Sequence, residues 1–295
     1  VGRLDAMTSV NARALDYYDG QEIERLPAAS LERRARILHA MGEDEKSLGD
    51  YDEAERLFAE AHRTTAQLLA DEPDNPDRIF AHAQSEFWNA QIPWLLKDFP
   101  VARQAAGNYY DQALRLSELE PGTERAAREV SFALNSICGV EVQAKNNSER
   151  AVDWCRQFRD SAYANLKRRP DDPDFLQSAA VGDAWYADAL VNVGRLDDSL
   201  QARVSQYEKL DRLVAADPRN FDHVELRARA MMSLMEAYIR VGDAGSARKF
   251  AERARQEYLR LVTYDPDNQL WRDMADRLER KDITDQMGKN DGVSE

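Results

Sequence analysis

Few side chains in this sequence have the type and spacing that chemistry requires. The chain holds four histidines, His39, His62, His82 and His223, and two cysteines, Cys138 and Cys155. The histidines are scattered and give no metal-ligand spacing. Two cysteines set no disulfide framework. A less ordinary set is Glu86, Asn135 and Asp183. They fall between Leu38 and Met231 at one recurring position that is otherwise apolar, with Asn89 one turn beyond Glu86. Polar groups in a core need partners, so these four read first as a hydrogen-bonded ladder between neighbouring first helices, or as partly exposed. A second reading is an acidic spot for a basic ligand. A catalytic carboxylate pair is a third, but no nucleophile or metal cluster accompanies it, and there is no P-loop, nucleophile elbow or zinc motif. We therefore expect no catalytic residue, no metal, no cofactor and no enzyme.

That position recurs because the chain is periodic. Pro73, Pro121, Pro170, Pro218 and Pro266 are separated by 48, 49, 48 and 48 residues. An inner turn keeps step at Gly49-Asp50, Lys97-Asp98, Asn146-Asn147, Gly194-Arg195 and Gly242-Asp243. A fixed period in this range marks a solenoid or array. Between the two kinds of turn the apolar residues follow a helical period, as in Ile37, Leu38 and Met41, then Ala54, Leu57, Phe58, Ala61 and Leu68. The spacing predicts helix pairs near 28–48 and 52–71, 77–97 and 100–119, 124–145 and 148–168, 174–193 and 196–215, and 221–241 and 244–263. No alternating β pattern competes with them.

The fold expected is thus all-α: an α-solenoid of five repeats, 28–75, 76–123, 124–172, 173–220 and 221–268. A helix and loop precede it at 1–27. A capping helix follows at 269–287, then a flexible tail at 288–295. One helix pair cannot bury its own stripe, but stacked pairs make a continuous core. Glycine at the inner turn takes the left-handed helix end. The Asp-Pro element stops the second helix, because a residue before proline avoids the helical region. Asn75, Asp172, Asn220 and Asn268 then stand where they can cap the next helix. Pro93 lies inside a first helix and should bend it.

The stretch Gly49-Asp50-Tyr51-Asp52-Glu53-Ala54, with Met41-Gly42 before it and Phe58 and Ala61 after it, resembles the tetratricopeptide (TPR) signature. Leu234, Tyr238, Gly242-Asp243, Ala247 and Ala254 resemble it too, and the third repeat keeps Gly139 and Ala151. Departures are Lys97 for glycine, Pro93 within a helix, and Ser199 for the packing alanine. The usual TPR repeat is shorter, so this is a long-repeat variant with each helix extended by about two turns. The terminal Asp-Pro-Asp-Asn elements and Val-Gly-Arg-Leu-Asp at 1–5 resemble TPR regions at the C-terminal end of bacterial multidomain signalling proteins, in which a TIR, cyclase, kinase or caspase-like effector precedes the array. The chain starts at Val1 without methionine, so an anchor or effector upstream is part of that expectation.

The resemblance implies a right-handed superhelix whose first helices line a concave, partner-binding face. Counting from the shared turn gives the columns His39, Phe87, Ser136, Ala184 and Met232; Glu43, Gln91, Val140, Asp188 and Glu236; and Lys46, Trp94, Gln143, Val191 and Ile239. Arg36 and Arg229 flank the ends. The binding face expected is Phe87, Gln91, Trp94, Ser136, Val140, Gln143, Asp188, Val191, Arg229, Met232 and Glu236. Phe87, Trp94 and Met232 serve equally well as packing between repeats. The family's clamp for a C-terminal carboxylate needs Lys and Asn where His39 and Glu43 stand, so no such clamp is expected. Trp88, Trp185, Cys138 and Cys155 read as core. A disulfide between the cysteines is the other reading, and it would need an oxidising compartment.

Composition narrows the partner. The formal charge is −14, from 54 acidic against 40 basic residues. Such a surface repels nucleic acid and anionic membranes and suits basic partners. No apolar run reaches the length of a membrane span, and no signal peptide is evident. The function expected is protein–protein interaction in a bacterial signalling or regulatory protein. The partner is a protein or peptide, a basic one among the options, and the module is soluble: cytoplasmic, or periplasmic if an anchor lies upstream. The alternatives are a self-association scaffold for an upstream effector and a small-ligand sensor.

Overall fold

The computed structural model describes residues 26–145 and 149–279. Among these residues the secondary structure is helical throughout, in eleven helices. They are α1 (Ala28–Leu48), α2 (Tyr51–Asp71), α3 (Pro76–Leu95), α4 (Phe99–Leu119), α5 (Glu124–Gln143), α6 (Glu149–Arg168), α7 (Pro173–Asn192), α8 (Leu196–Ala216), α9 (Phe221–Arg240), α10 (Ala244–Tyr264) and α11 (Gln269–Glu279). The architecture is an all-α array of helical repeats, and the helix ends fall within a few residues of those the period predicts. The expected helix over the first residues, the turn Asn146-Asn147, the end of the capping helix and the tail lie outside the described residues.

The chain divides into two compact units, Val1–Ala144 and Lys145–Glu295. In the first, α1 to α5 pack in succession, and α3 also touches α1 and α5. In the second, α6 to α11 pack in succession. Alanines dominate the contacts. Ala35, Ala54, Ala61, Ala83, Ala102, Ala106 and Ala113 are all buried, which lets long helices approach closely. Larger side chains, such as Leu38, Leu57, Phe58 and Tyr109, fill the spaces left.

Both kinds of turn work as the sequence implies. Asn75, Asp172, Asn220 and Asn268 each accept a backbone N–H of the helix that follows. Asp50, Asp98 and Asp243 do the same for the second helices. At the inner turns Gly49, Gly194 and Gly242 are left-handed, with φ of 88°, 78° and 82°. Lys97 keeps the same conformation without being glycine, at φ 63°. In the third repeat Lys145 is left-handed, at φ 50°. It stands one residue before Asn146, where counting put the turn. The helix α3 runs through Pro93 and ends two residues later.

A further periodic device ties repeats together. The guanidinium groups of Arg115, Arg212 and Arg260 donate to the carbonyls of Pro73, Pro170 and Pro218, in each case 42 residues earlier. Each arginine stands six residues before a repeat proline and holds the carbonyl of the previous one.

Candidate functional site

In the first unit, α1 and α3 stand side by side and leave a cleft of 580 Å³ on the face they share. Arg36, His39 and Glu43, at one-turn intervals on α1, form one wall. Phe80, Gln84 and Trp88 of α3 form the other, and Glu32, Asp77 and Arg125 rim it. The rim is neutralised within the protein. Arg78 pairs with Glu32, and Arg125 pairs with Asp77 at 2.7 Å. The walls keep spare charge: Arg36 and Glu43 have no ion-pair partner among the described residues. Trp88 is not simply core. It stacks on Phe58 at 5.3 Å, and the Lys46 ammonium lies 5.3 Å over its ring.

A hydrogen-bonded chain leads from this cleft into the protein. His39 Nε2 lies 3.0 Å from Ser85 Oγ, and Thr65 Oγ1 donates to Ser85 Oγ at 2.9 Å. Thr65 Oγ1 also lies 3.1 Å from His82 Nδ1. On the far side of His82 is Glu86, whose Oε1 is 3.5 Å from His82 Nε2 and 3.0 Å from His62 Nε2. Asn108 Nδ2 donates to the same oxygen at 3.3 Å. Burial, and next the charge of His62, lowers the pKa of His39 to about 4. The same two causes lower that of His82, against the pull of Glu86. Both imidazoles are therefore neutral at physiological pH. Three of the four histidines thus converge, although their spacing in sequence gives no sign of it. His39 comes from α1, His62 from α2, and His82 and Glu86 stand a turn apart on α3, so the grouping depends on how three helices pack.

The residues expected on the binding face divide. Trp94, Gln91 and Gln143 come together. Trp94 Nε1 donates to Gln143 Oε1 at 3.1 Å, and all three line a second groove of 590 Å³ with Lys46, Tyr51 and Lys97. Phe87 packs edge-on against Tyr109 and Trp88. Ser136 and Val140 are buried, and the Ser136 hydroxyl donates to the Phe132 carbonyl. In the second unit, Asp188 pairs with Arg203, Met232 packs on the core, Val191 is half-buried, and Arg229 and Glu236 are exposed.

The four polar residues also divide. Asp183 is buried and receives Lys209 Nζ at 2.7 Å and the Tyr163 hydroxyl at 3.0 Å. Glu86 and Asp183 thus turn sideways to second helices. Bonds between neighbouring first helices are made by other residues, such as Arg125 to Asp77 and Gln84 to Glu129. Asn135 Oδ1 is buried without a hydrogen-bond partner, and Asn89 is half-buried. Cys138 and Cys155 are both fully buried, and neither is a free thiol, which corrects the reading of each as a plain buried hydrophobe. No helix among the described residues is long and apolar enough to cross a membrane.

No family model and no curated protein sequence matches the chain. Among solved structures it is similar to BtubC (BKLC) from P. vanneervenii, with a TM-score of 0.65 at 15% identity over 90% of this chain and 95% of that one. It is also similar to a Rap protein complexed with competence and sporulation factor, with a TM-score of 0.55 at 13% identity over 93% of this chain and 70% of that one. At these identities the likeness is one of fold.

Proposed function

We propose that this chain is a protein-interaction module of a bacterial signalling or regulatory protein, and that it holds a peptide or protein segment in the cleft between α1 and α3. The observation that carries the reading is the cleft itself. Its walls combine aromatic surface (Phe80, Trp88) with a cation and an anion, Arg36 and Glu43, that have no ion-pair partner among the described residues, the mixture from which peptide-binding sites draw anchoring and register. Trp94 and Gln91 continue a polar-aromatic surface beside it. The solved Rap structure holds a bound factor on a related fold, which supports the same use here. The negative charge favours a segment with basic residues. No enzymatic role is proposed.

Selection of a random peptide library on the purified chain tests this. The expected result is a consensus with an aromatic or aliphatic anchor and a basic residue. Its binding should weaken at least about 10-fold in Arg36→Glu or Gln84→Ala, where loss of one good contact is worth about 1.4 kcal/mol. Failure to enrich any consensus, or binding unaffected by both variants, would remove the cleft from the account. Light scattering of the same samples reports self-association directly.

A further inference from the structure

We propose that His62, His82 and Glu86 form a binding site for one divalent transition-metal ion, with zinc the best match to two imidazoles and a carboxylate. This goes beyond partner binding and rests on different residues from the cleft walls.

Three observations carry it. First, the geometry suits a small cation. Each residue offers one donor atom, and the three atoms lie within 4.8 Å of one another. Ligands about 2.0–2.1 Å from a tetrahedral zinc stand about 3.3 Å apart. The Glu86 Oε1 separations of 3.0 and 3.5 Å from the two Nε2 atoms already bracket that value. Second, the donors have hydrogen-bonding neighbours that orient them, as metal ligands usually do. Asn108 Nδ2 donates to the same Oε1 of Glu86, whose second lone pair stays free for an ion, and Thr65 stands behind the other nitrogen, Nδ1, of His82. Third, the site has an open side. The side chains of His82 and Glu86 are 9% and 7% exposed, but that of His62 is 27% exposed. An ion can therefore enter past His62 and keep a water in its fourth position.

The bonding pattern gives the ion a distinct role. A cation on Nε2 of His82 leaves that ring's proton on Nδ1, where it donates to Thr65 Oγ1. Thr65 then donates to Ser85, and Ser85 to Nε2 of His39 in the cleft wall. Without a cation the same chain can run the other way, ending with Nε2–H of His82 donated to Glu86. Metal occupancy thus selects one direction and sets what His39 presents in the cleft.

The test uses the full chain stripped with a chelator and dialysed. Zinc is titrated by calorimetry, cobalt by its visible absorption, and the zinc complex is read by X-ray absorption. We expect one equivalent of zinc at micromolar affinity or tighter, nitrogen and oxygen donors at about 2.0–2.1 Å, intense four-coordinate cobalt bands, and weakening as pH falls because the imidazoles must be deprotonated. His62→Gln and Glu86→Gln should each weaken binding at least about 10-fold, and His223→Ala should not. His62 is on the open side and Glu86→Gln keeps the shape, so both variants should fold with unchanged helicity. The site is disproved if the parent takes up no zinc at micromolar concentrations. It is equally disproved if both variants bind as the parent does.

Discussion

Glu86 and Asp183 occupy the same position of the repeat, 97 residues and two repeats apart. Each is a buried carboxylate on a first helix, and each is met by the second helix before it and the second helix after it. For Glu86 these supply His62 and Asn108. For Asp183 they supply Tyr163 and Lys209. The frame is identical and the partners are not. Lys209 is a fixed cation, so the charge of Asp183 is compensated within the protein. Glu86 faces imidazoles, whose charge is optional. The repeat decides where a buried acid stands, and the neighbouring second helices decide whether it serves packing or remains open to a proton or a metal.

The largest effect that can break this comparison comes from removing the fixed cation. Lys209→Met leaves Asp183 buried with no opposite charge, which costs about 3–5 kcal/mol. Glu86→Gln removes a charge that no fixed cation compensates and should cost about 1–3 kcal/mol, the scale of a perturbed buried hydrogen bond. Urea unfolding measures both. Equal costs would mean that the two acids are not held differently. Adding Asp183→Asn to Lys209→Met should recover part of the loss, because the isolated charge is then gone.

The second effect is pH. His39 has a folded pKa of about 4 against an ordinary 6.5, from burial first and the His62 charge second. Between those values the unfolded chain binds a proton that the folded chain refuses. Stability is therefore full above pH 6.5 and falls as pH drops towards 4, by about 3 kcal/mol at 1.36 kcal/mol per unit. His82 adds to the same trend. Hydrogen exchange with a chelator present should show α1 to α3 losing protection before α7 and α8 as the pH is lowered, and His39→Gln should flatten the difference. Uniform loss across both units would sink the assignment of acid sensitivity to this network.

Third is a packing contrast. A Cβ on Gly42 would run into the ring of Phe58, which is stacked on Trp88. Gly42→Ala should therefore cost about 1–3 kcal/mol as an overpacked core, read from its thermal midpoint. By repeat counting the corresponding positions of the second unit are Ala187 and Met235, opposite Arg203 and Ala251. There, size on one helix is matched by a different neighbour, and Ala187→Gly should leave a gap instead of relieving a clash.

The proline and turn periods made the fold legible, because each mark has a local physical cause: a helix stop, a left-handed residue, an N-cap. The proline-bound arginines were legible in principle, since Arg115, Arg212 and Arg260 share one distance to the next proline. The histidine network was not. Its members come from three helices, His39 from α1, His62 from α2 and His82 from α3, and only the packing of those helices joins them. Ser136 shows the converse limit. Counting from the turn at Asn146 placed it in a column, yet it is buried, and column position alone says nothing about burial.

The smallest expected effect sharpens the comparison at the turns. Lys97 is held at φ 63°, in the conformation that Gly194 and Gly242 take in the second unit. A side chain there carries steric strain of about 1 kcal/mol, partly offset because glycine has more unfolded freedom to lose. Lys97→Gly should thus raise stability by about 0.5 kcal/mol, seen as a small upward shift in urea midpoint with an unchanged slope. Lys97 also lines the groove that contains Trp94 and Gln143. If Lys97→Gly stabilises the chain but weakens the selected peptide, the lysine is kept at this turn for its side chain, at the expense of the backbone geometry that Gly49, Gly194 and Gly242 satisfy at the other turns. If stability does not rise, the left-handed turn is held without strain by the hydrogen bonds of Lys97 and Asp98 to Trp94 and Pro93, and lysine serves there as well as glycine does.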